Sequence, residues 1–221
     1  MVEIKNTRDD IILDVLISGF KPGEITLIAG RPSTGKTQLA INIALDSIKR
    51  DKNVVFFTLE LSKEQLVSKM LTTVSGIKAE KMKTGNISKD EWDVIVRSAD
   101  ELGKSKFIIC NEPGISSNVL AKHCHNLPND KKPDLIIIDY LQIMRGNGES
   151  KIRIDECSEI AKSLHELSTE YGIPIIVIAQ LSKYYKKDDG TIDLKSSYIE
   201  SESWDNIIVL DFEKMKGDDM L

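Results

Sequence analysis

The sequence predicts an α/β fold: a mostly parallel central sheet with helices on both faces. Short apolar runs alternate with longer stretches of helical period along the 221 residues, the pattern of strands joined by helices. The runs are continuous rather than alternating, as in Leu135-Ile136-Ile137-Ile138. Strands covered on both faces read that way. A glycine-bounded loop lies between an early strand and the helix after it, a position suited to binding phosphate.

The elements follow in order. Residues 1–18 lack a clean period. Ile11 to Ile17 reads as a short helix or an extended arm, and the segment as an arm or linker before one domain over 19–221. Gly19-Phe20-Lys21-Pro22-Gly23 is a turn. Glu24 to Ala29 is a strand, and a helix-like stretch after the loop carries Leu39, Ala40, Ile43, Ala44 and Ile48. Asn53 to Thr58 is the next strand. Ser62 with Gln65, and Ser88 with Glu91, are capping boxes that open helices to Val74 and about Leu102. Lys106 to Cys110 is a strand, and Ser116 or Ser117 starts a helix to about Asn126. Pro133 to Asp139 is a strand between polar turns. Asp155 to Tyr171 carries the stripe Cys157, Ile160, Ala161, Leu164 and Leu167, and Gly172 stops it. Pro174 to Ala179 and Asn206 to Asp211 complete the strands. The loop-like stretches Met144–Lys151 and Ser182–Glu202 follow strand C-terminal ends, where open α/β sheets bind ligands.

Composition narrows the function. Apolar residues make up 41% and charged residues 29%, enough for a core and against disorder. No apolar run approaches the roughly 18 residues of a membrane span, and the first ten residues carry no secretory hydrophobic stretch. With 30 basic against 35 acidic residues the formal charge is −5, so nucleic acid would be met by local patches or around a central channel. Aromatics at 5% argue against a base-stacking platform. Three cysteines, Cys110, Cys124 and Cys157, lack disulfide-framework spacing and fit a reducing, cytoplasmic setting. His123-Cys124-His125 has no second ligand pair at zinc-like spacing and reads as helix with one buried Cys.

Residues 30–37 read Gly30-Arg31-Pro32-Ser33-Thr34-Gly35-Lys36-Thr37 and fit GxxxxGK[ST] at every fixed position. Glycines let the backbone close around phosphate oxygens, and backbone N–H groups with the positive helix end cradle the anion. Lys36 is placed for the β- and γ-phosphates, and the Thr37 hydroxyl for Mg²⁺. Asp139 ends the Leu-Ile-Ile-Ile-Asp strand, the position of a metal-holding carboxylate. Glu60 closes the second strand, where a carboxylate can orient and deprotonate water. Gln180 ends the Pro174–Ala179 strand, placed to touch the γ-phosphate and report its loss.

These residues together resemble one family. The stretches are Gly-Arg-Pro-Ser-Thr-Gly-Lys-Thr, Phe-Thr-Leu-Glu-Leu-Ser at 57–62, Lys-Thr-Gly-Asn-Ile-Ser at 83–88 before Trp92, Ile-Ile-Ile-Asp-Tyr-Leu-Gln-Ile-Met-Arg-Gly at 136–146 and Ile-Ala-Gln-Leu-Ser at 178–182. The chain looks like the C-terminal ATPase domain of DnaB-type replicative DNA helicases, from about Gly19 to Leu210. That resemblance implies a RecA-like fold, Mg²⁺ and ATP bound between subunits, and a homo-oligomeric ring, usually a hexamer. It implies single-stranded DNA in the ring and a primase or loader protein as partner. Family roles fall on Lys36 and Thr37 for phosphate and magnesium, Glu60 for water, Asp139 for the metal and Gln180 for γ-phosphate sensing. The channel loops would offer Arg145, Lys151 and Arg153 after Asp139, and Lys183 and Lys195 after Gln180.

The chain departs from the family in three places. Only the short segment before Gly19 stands where the helicases carry an N-terminal domain, so it reads as a fragment or a shortened relative. The family's Asp-Leu-Arg-Glu-Ser-Gly stretch near DNA is Asp193-Leu-Lys-Ser-Ser-Tyr198 here. The tail from Phe212 has no Arg to act in trans, leaving Lys214 or Lys216 or a finger beyond a truncation; Lys lacks the bidentate fork. Two rival readings remain: a RecA-superfamily ATPase switch acting on a protein partner, and a nucleotide-binding accessory subunit with little turnover.

Overall fold

The structure is a computed structural model describing residues 2–4, 19–146 and 152–211. The elements are β1 (Val2–Ile4), β2 (Ile25–Gly30), α1 (Lys36–Lys49), β3 (Val54–Thr58), α2 (Lys63–Ser75), α3 (Ala79–Thr84) and α4 (Lys89–Lys104). After these come β4 (Phe107–Cys110), α5 (Ser117–Asn126), β5 (Leu135–Asp139), α6 (Arg153–Tyr171), β6 (Ile175–Gln180) and β7 (Asn206–Leu210). The seven strands form one sheet in the order β1-β7-β2-β6-β5-β3-β4. Every pairing is parallel, so the expected mostly parallel sheet is parallel throughout the described residues.

The continuous apolar runs are explained by two separate cores. Leu27, Val55, Phe57, Ile136, Ile138 and Val177 face α5 and α6, meeting Leu120, Cys124, Ile160, Ala161 and Leu164. Their strand neighbours Ile28, Val54, Phe56, Ile137 and Ile176 face the other way, onto Leu39, Ala40 and Ala44 of α1 and Leu66 and Met70 of α2. Successive strand side chains point to opposite faces, so a strand buried on both must be apolar at every position. Both capping boxes form: Ser62 with Gln65 opens α2 and Ser88 with Glu91 opens α4. Each is worth about 1 kcal/mol of helix stability.

Some elements lie outside what the sequence pattern predicts. β1 is three residues of the expected N-terminal arm, held by β7 with Val2 opposite Ile208. α3 is six residues long with no buried side chain, so it has no apolar stripe to read. Trp204 is buried, whereas Trp92 is exposed. Among the described residues no helix is long and apolar enough to cross a membrane. The stretch Ile11–Ile17, Lys151 and the tail cations Lys214 and Lys216 fall outside the described residues.

Candidate nucleotide-binding site

The loop from β2 into α1 is shaped by backbone demands. A Cβ at Gly30 would lie 2.6 Å from the Thr34 hydroxyl and 2.8 Å from the Leu210 carbonyl, so only glycine fits beside β7. Gly35 caps α1 at φ 83°, and Ser33 sits at φ 65° without being glycine. Left-handed non-glycine residues collect at ligand clamps. Thr34 Oγ1 and Lys36 Nζ both donate to the Arg31 carbonyl, at 2.8 and 2.6 Å, which folds the loop over the N-terminus of α1.

A cleft of about 390 Å³ opens beside this loop. Lys36, Thr37, Glu60, Asp139 and Gln180 all line it, with Pro32, Ser33 and Gly35. Five sequence-predicted side chains from four segments thus converge on one space. Thr37 Oγ1 donates to Asp139 Oδ2 at 2.7 Å, setting two hard oxygen donors side by side, the kind of set Mg²⁺ takes. Asp139 is 2% exposed. Burial raises its carboxyl above the usual range, opposed by the Thr37 hydrogen bond and seconded by the Glu60 charge. Burial likewise lowers Lys36, with the Asp139 and Glu60 charges pulling the other way. A bound cation and triphosphate would satisfy the buried Asp139 and the half-buried Lys36, so the residues present fit Mg²⁺ and nucleotide.

Several residues that the sequence pattern gives no role hold this set. Asn111, just past β4, donates from Nδ2 to the carbonyls of Thr58 and Leu61 at 2.6 and 2.9 Å. It pins the turn that carries Glu60, and Leu59 N adds a bond to the Asp139 carbonyl at 2.7 Å. Gln142 clamps Gln180: its Nε2 donates to the Gln180 carbonyl at 3.0 Å and its Oε1 accepts from the Gln180 amide at 3.1 Å. Lys69 of α2 also lines the cleft and tempers the Asp139 carboxyl. Gln142 lies three residues past Asp139, which is the one sequence cue among these. Asn111 and Lys69 reach the site only through the sheet order and the packing of α2.

The candidate cations outside the cleft are placed differently. Arg153 turns inward: it donates to the Gln142 carbonyl at 2.9 Å and pairs with Glu156, whose carboxylate accepts from Gly146 N at 2.8 Å. Arg153 therefore braces the loop after β5, where the sequence offers it to DNA. Arg145 is exposed, with its side chain over Gly114. Lys183 and Lys195 are exposed on the loop after β6. His123 pairs with Glu112 at 2.9 Å.

A parallel sheet with a phosphate loop at the C-terminal end of a central strand, a strand-end Asp against its Thr, and a cleft between defines a RecA-like phosphate-loop nucleotide-binding domain. A profile of the DnaB-like helicase C terminal domain matches residues 9–215, and the chain belongs to that family. It is 35% identical over 193 residues to the replicative DNA helicase DnaC of Bacillus subtilis strain 168, covering 86% of this chain and 42% of the relative. The replicative DNA helicase DnaB of Geobacillus stearothermophilus matches with the same identity and coverage. The chain thus spans well under half the length of these relatives. Among solved structures, one described as an ATPase domain superposes with a TM-score of 0.81 at 26% identity, covering 90% of this chain and 73% of that one. A DnaB-like replicative helicase, described with its interactions with primase, gives 0.80 at 25% identity, covering 89% and 49%.

Proposed function

We propose that this domain hydrolyses ATP with Mg²⁺ and, in a homo-oligomeric hexameric ring, couples turnover to movement along single-stranded DNA and duplex unwinding. The observation that carries the reading is the single cleft shared by Lys36, Thr37, Glu60, Asp139 and Gln180. The family relatives named as replicative helicases support the motor role. The solved relative described with primase supports primase as a partner.

The chemistry follows from the placement. Mg²⁺, when bound, supplies charge neutralisation at the β- and γ-phosphate oxygens. Thr37 and Asp139 would hold it. The phosphate-loop N–H groups and Lys36 fix the triphosphate and stabilise the charge that builds on the leaving diphosphate. Glu60 accepts a hydrogen bond from the attacking water and orients it in line with the γ-phosphorus. Attack forms the new P–O bond as the bond to the β-phosphate oxygen breaks and the water's proton passes to Glu60 and on to solvent, releasing ADP and inorganic phosphate. Gln180 loses its γ-phosphate contact at that moment. Leu181, the next residue, donates to the Gly30 carbonyl at 2.9 Å, so the loop after β6 is fastened to the phosphate loop.

Steady-state ATPase of the chain, with and without single-stranded DNA at two protein and two salt concentrations, tests this. DNA stimulation that rises with protein and falls with salt is expected. A rate indifferent to DNA in every arm would overturn the motor reading in favour of a switch directed at a protein. Glu60→Gln is expected to abolish turnover while nucleotide still binds.

A further inference from the structure

We propose that the segment between β6 and β7 carries a nucleobase-stacking site made by Tyr184 and Tyr198, flanked by Lys183 and Lys195 as phosphate partners. The proposal deepens the reading above and rests on it. It also runs against what the low aromatic content suggests. Composition counts rings, and the fold decides which of them reach solvent.

Of the five tyrosines in the chain, these two present the most open rings among the described residues, at 68% and 51% exposed. Neither is simply left over at the surface. Tyr198 sits at φ 62°, a left-handed conformation that glycine adopts freely and that a bulky side chain rarely does. The backbone conformation is unfavourable, yet its ring is not buried to compensate. Each tyrosine has a lysine nearby: Lys183 Nζ stands 4.7 Å from the Tyr184 ring centroid, and Lys195 begins the helical turn that ends at Tyr198.

The two tyrosines belong to one knot. Ser182 N donates to Ser197 Oγ at 2.8 Å, the Ser182 and Ser196 hydroxyls meet at 3.1 Å, and Tyr184 N donates to Ser182 Oγ at 3.1 Å. Beneath them Tyr185 is buried and donates its hydroxyl to Asp211, which also pairs with Lys186. Neighbouring carboxylates are drawn into local bonds. Asp189 accepts from Thr191, Asp193 from Lys195 N, and Glu200 from Ser158. Glu202 lies near Lys195 and is held to its charged form mainly by its own backbone N–H and Ser201. The outward features are thus two open rings and ammonium groups interspersed with exposed carboxylates such as Asp188 and Glu202, on a segment that starts one residue after Gln180. Single strands are held by this pairing, because every base has a π-face and every phosphate a charge.

Fluorescence anisotropy of labelled oligothymidylate with the full chain, Mg²⁺ and a non-hydrolysable ATP analogue tests the site. Tyr184→Ala and Tyr198→Gly are each expected to weaken binding about tenfold without changing the salt slope. Tyr198→Gly suits the left-handed backbone, so loss of fold does not confound it, and Tyr184→Phe should restore binding. Lys195→Ala should instead reduce the slope by about 0.7. An abasic strand, which keeps the phosphates, should bind the wild type weakly and the two ring-deleted variants no worse than ordinary strands do. If those variants bind thymidylate like the wild type while Lys195→Ala weakens it, the stacking site is wrong and the motor reading stands. If the variants change only self-association, the rings belong to an interface between copies and the proposal fails. If the wild type binds no strand in any nucleotide state, the motor reading falls and takes this site with it.

Discussion

Thr37 Oγ1 and Asp139 Oδ2 lie 2.7 Å apart, joining the first turn of α1 to the end of β5 across 102 residues of sequence. The bond holds a buried carboxylate whose pKa is raised chiefly by burial. A raised folded-state pKa means the folded chain binds more protons than the unfolded one between the ordinary carboxylate value and the raised value. Stability therefore falls as pH rises through that window and stays lower above it. Asp139→Asn keeps an acceptor for Thr37 and removes the charge. In thermal melts without nucleotide it is expected to melt above the wild type at neutral pH. The gain should shrink as pH falls through the window and be gone below about 4. ATP turnover should be lost in the same variant. A lower melting temperature at pH 7 would show that Asp139 is not held at a cost.

Asn111 stands behind the cleft lining and positions the turn bearing Glu60 through two carbonyl bonds. Asn111→Ala should reduce kcat by up to ~100-fold, the scale set by a displacement near 1 Å, and leave KM for ATP nearly unchanged. A purely structural role would lower the melting temperature and leave kcat per folded molecule intact.

Arg153 separates structure from DNA contact. Removing it leaves the Gln142 carbonyl and Glu156 without their guanidinium partner. Arg153→Ala should cost about 2 kcal/mol of stability and leave the salt slope of strand binding unchanged. A slope reduced as in Lys195→Ala would return Arg153 to the DNA-contact group.

Much of this arrangement is legible in the sequence because its signals are local. The phosphate loop is eight consecutive residues, and Glu60, Asp139 and Gln180 each end an apolar run that reads as a strand. The two-sided burial of β3, β5 and β6 is visible in their unbroken Ile, Val and Phe. What stays hidden depends on distance through space. Asn111 reaches the turn bearing Glu60 only because β4 lies beside β3. β1 is recognisable only once β7 offers it an edge. The inward turn of Arg153 follows from Glu156 one helical turn on, a pairing that sequence spacing permits and does not require.

Gly30 tests the tightness of the loop. A methyl there would press on the Thr34 hydroxyl and the Leu210 carbonyl, and the latter is backbone that cannot swing aside. Gly30→Ala should destabilise the domain by about 1–3 kcal/mol and weaken nucleotide binding measured by a fluorescent ATP analogue. Unchanged binding with a normal melt would show slack that the packing does not contain.

The contact between Leu181 N and the Gly30 carbonyl bears on stiffness. Three stretches of chain meet at Gly30: the phosphate loop, the start of the segment after β6 and the end of β7. Gly30 touches each of the other two through backbone atoms, which have no rotamers to absorb a push. A small displacement at the phosphates is therefore delivered to the outer segment as movement of a solid joint, with little lost to bending. Lengthening the chain by one residue between Gln180 and Ser182 would insert compliance at that joint. Such an insertion should uncouple the two ends while leaving each chemically intact.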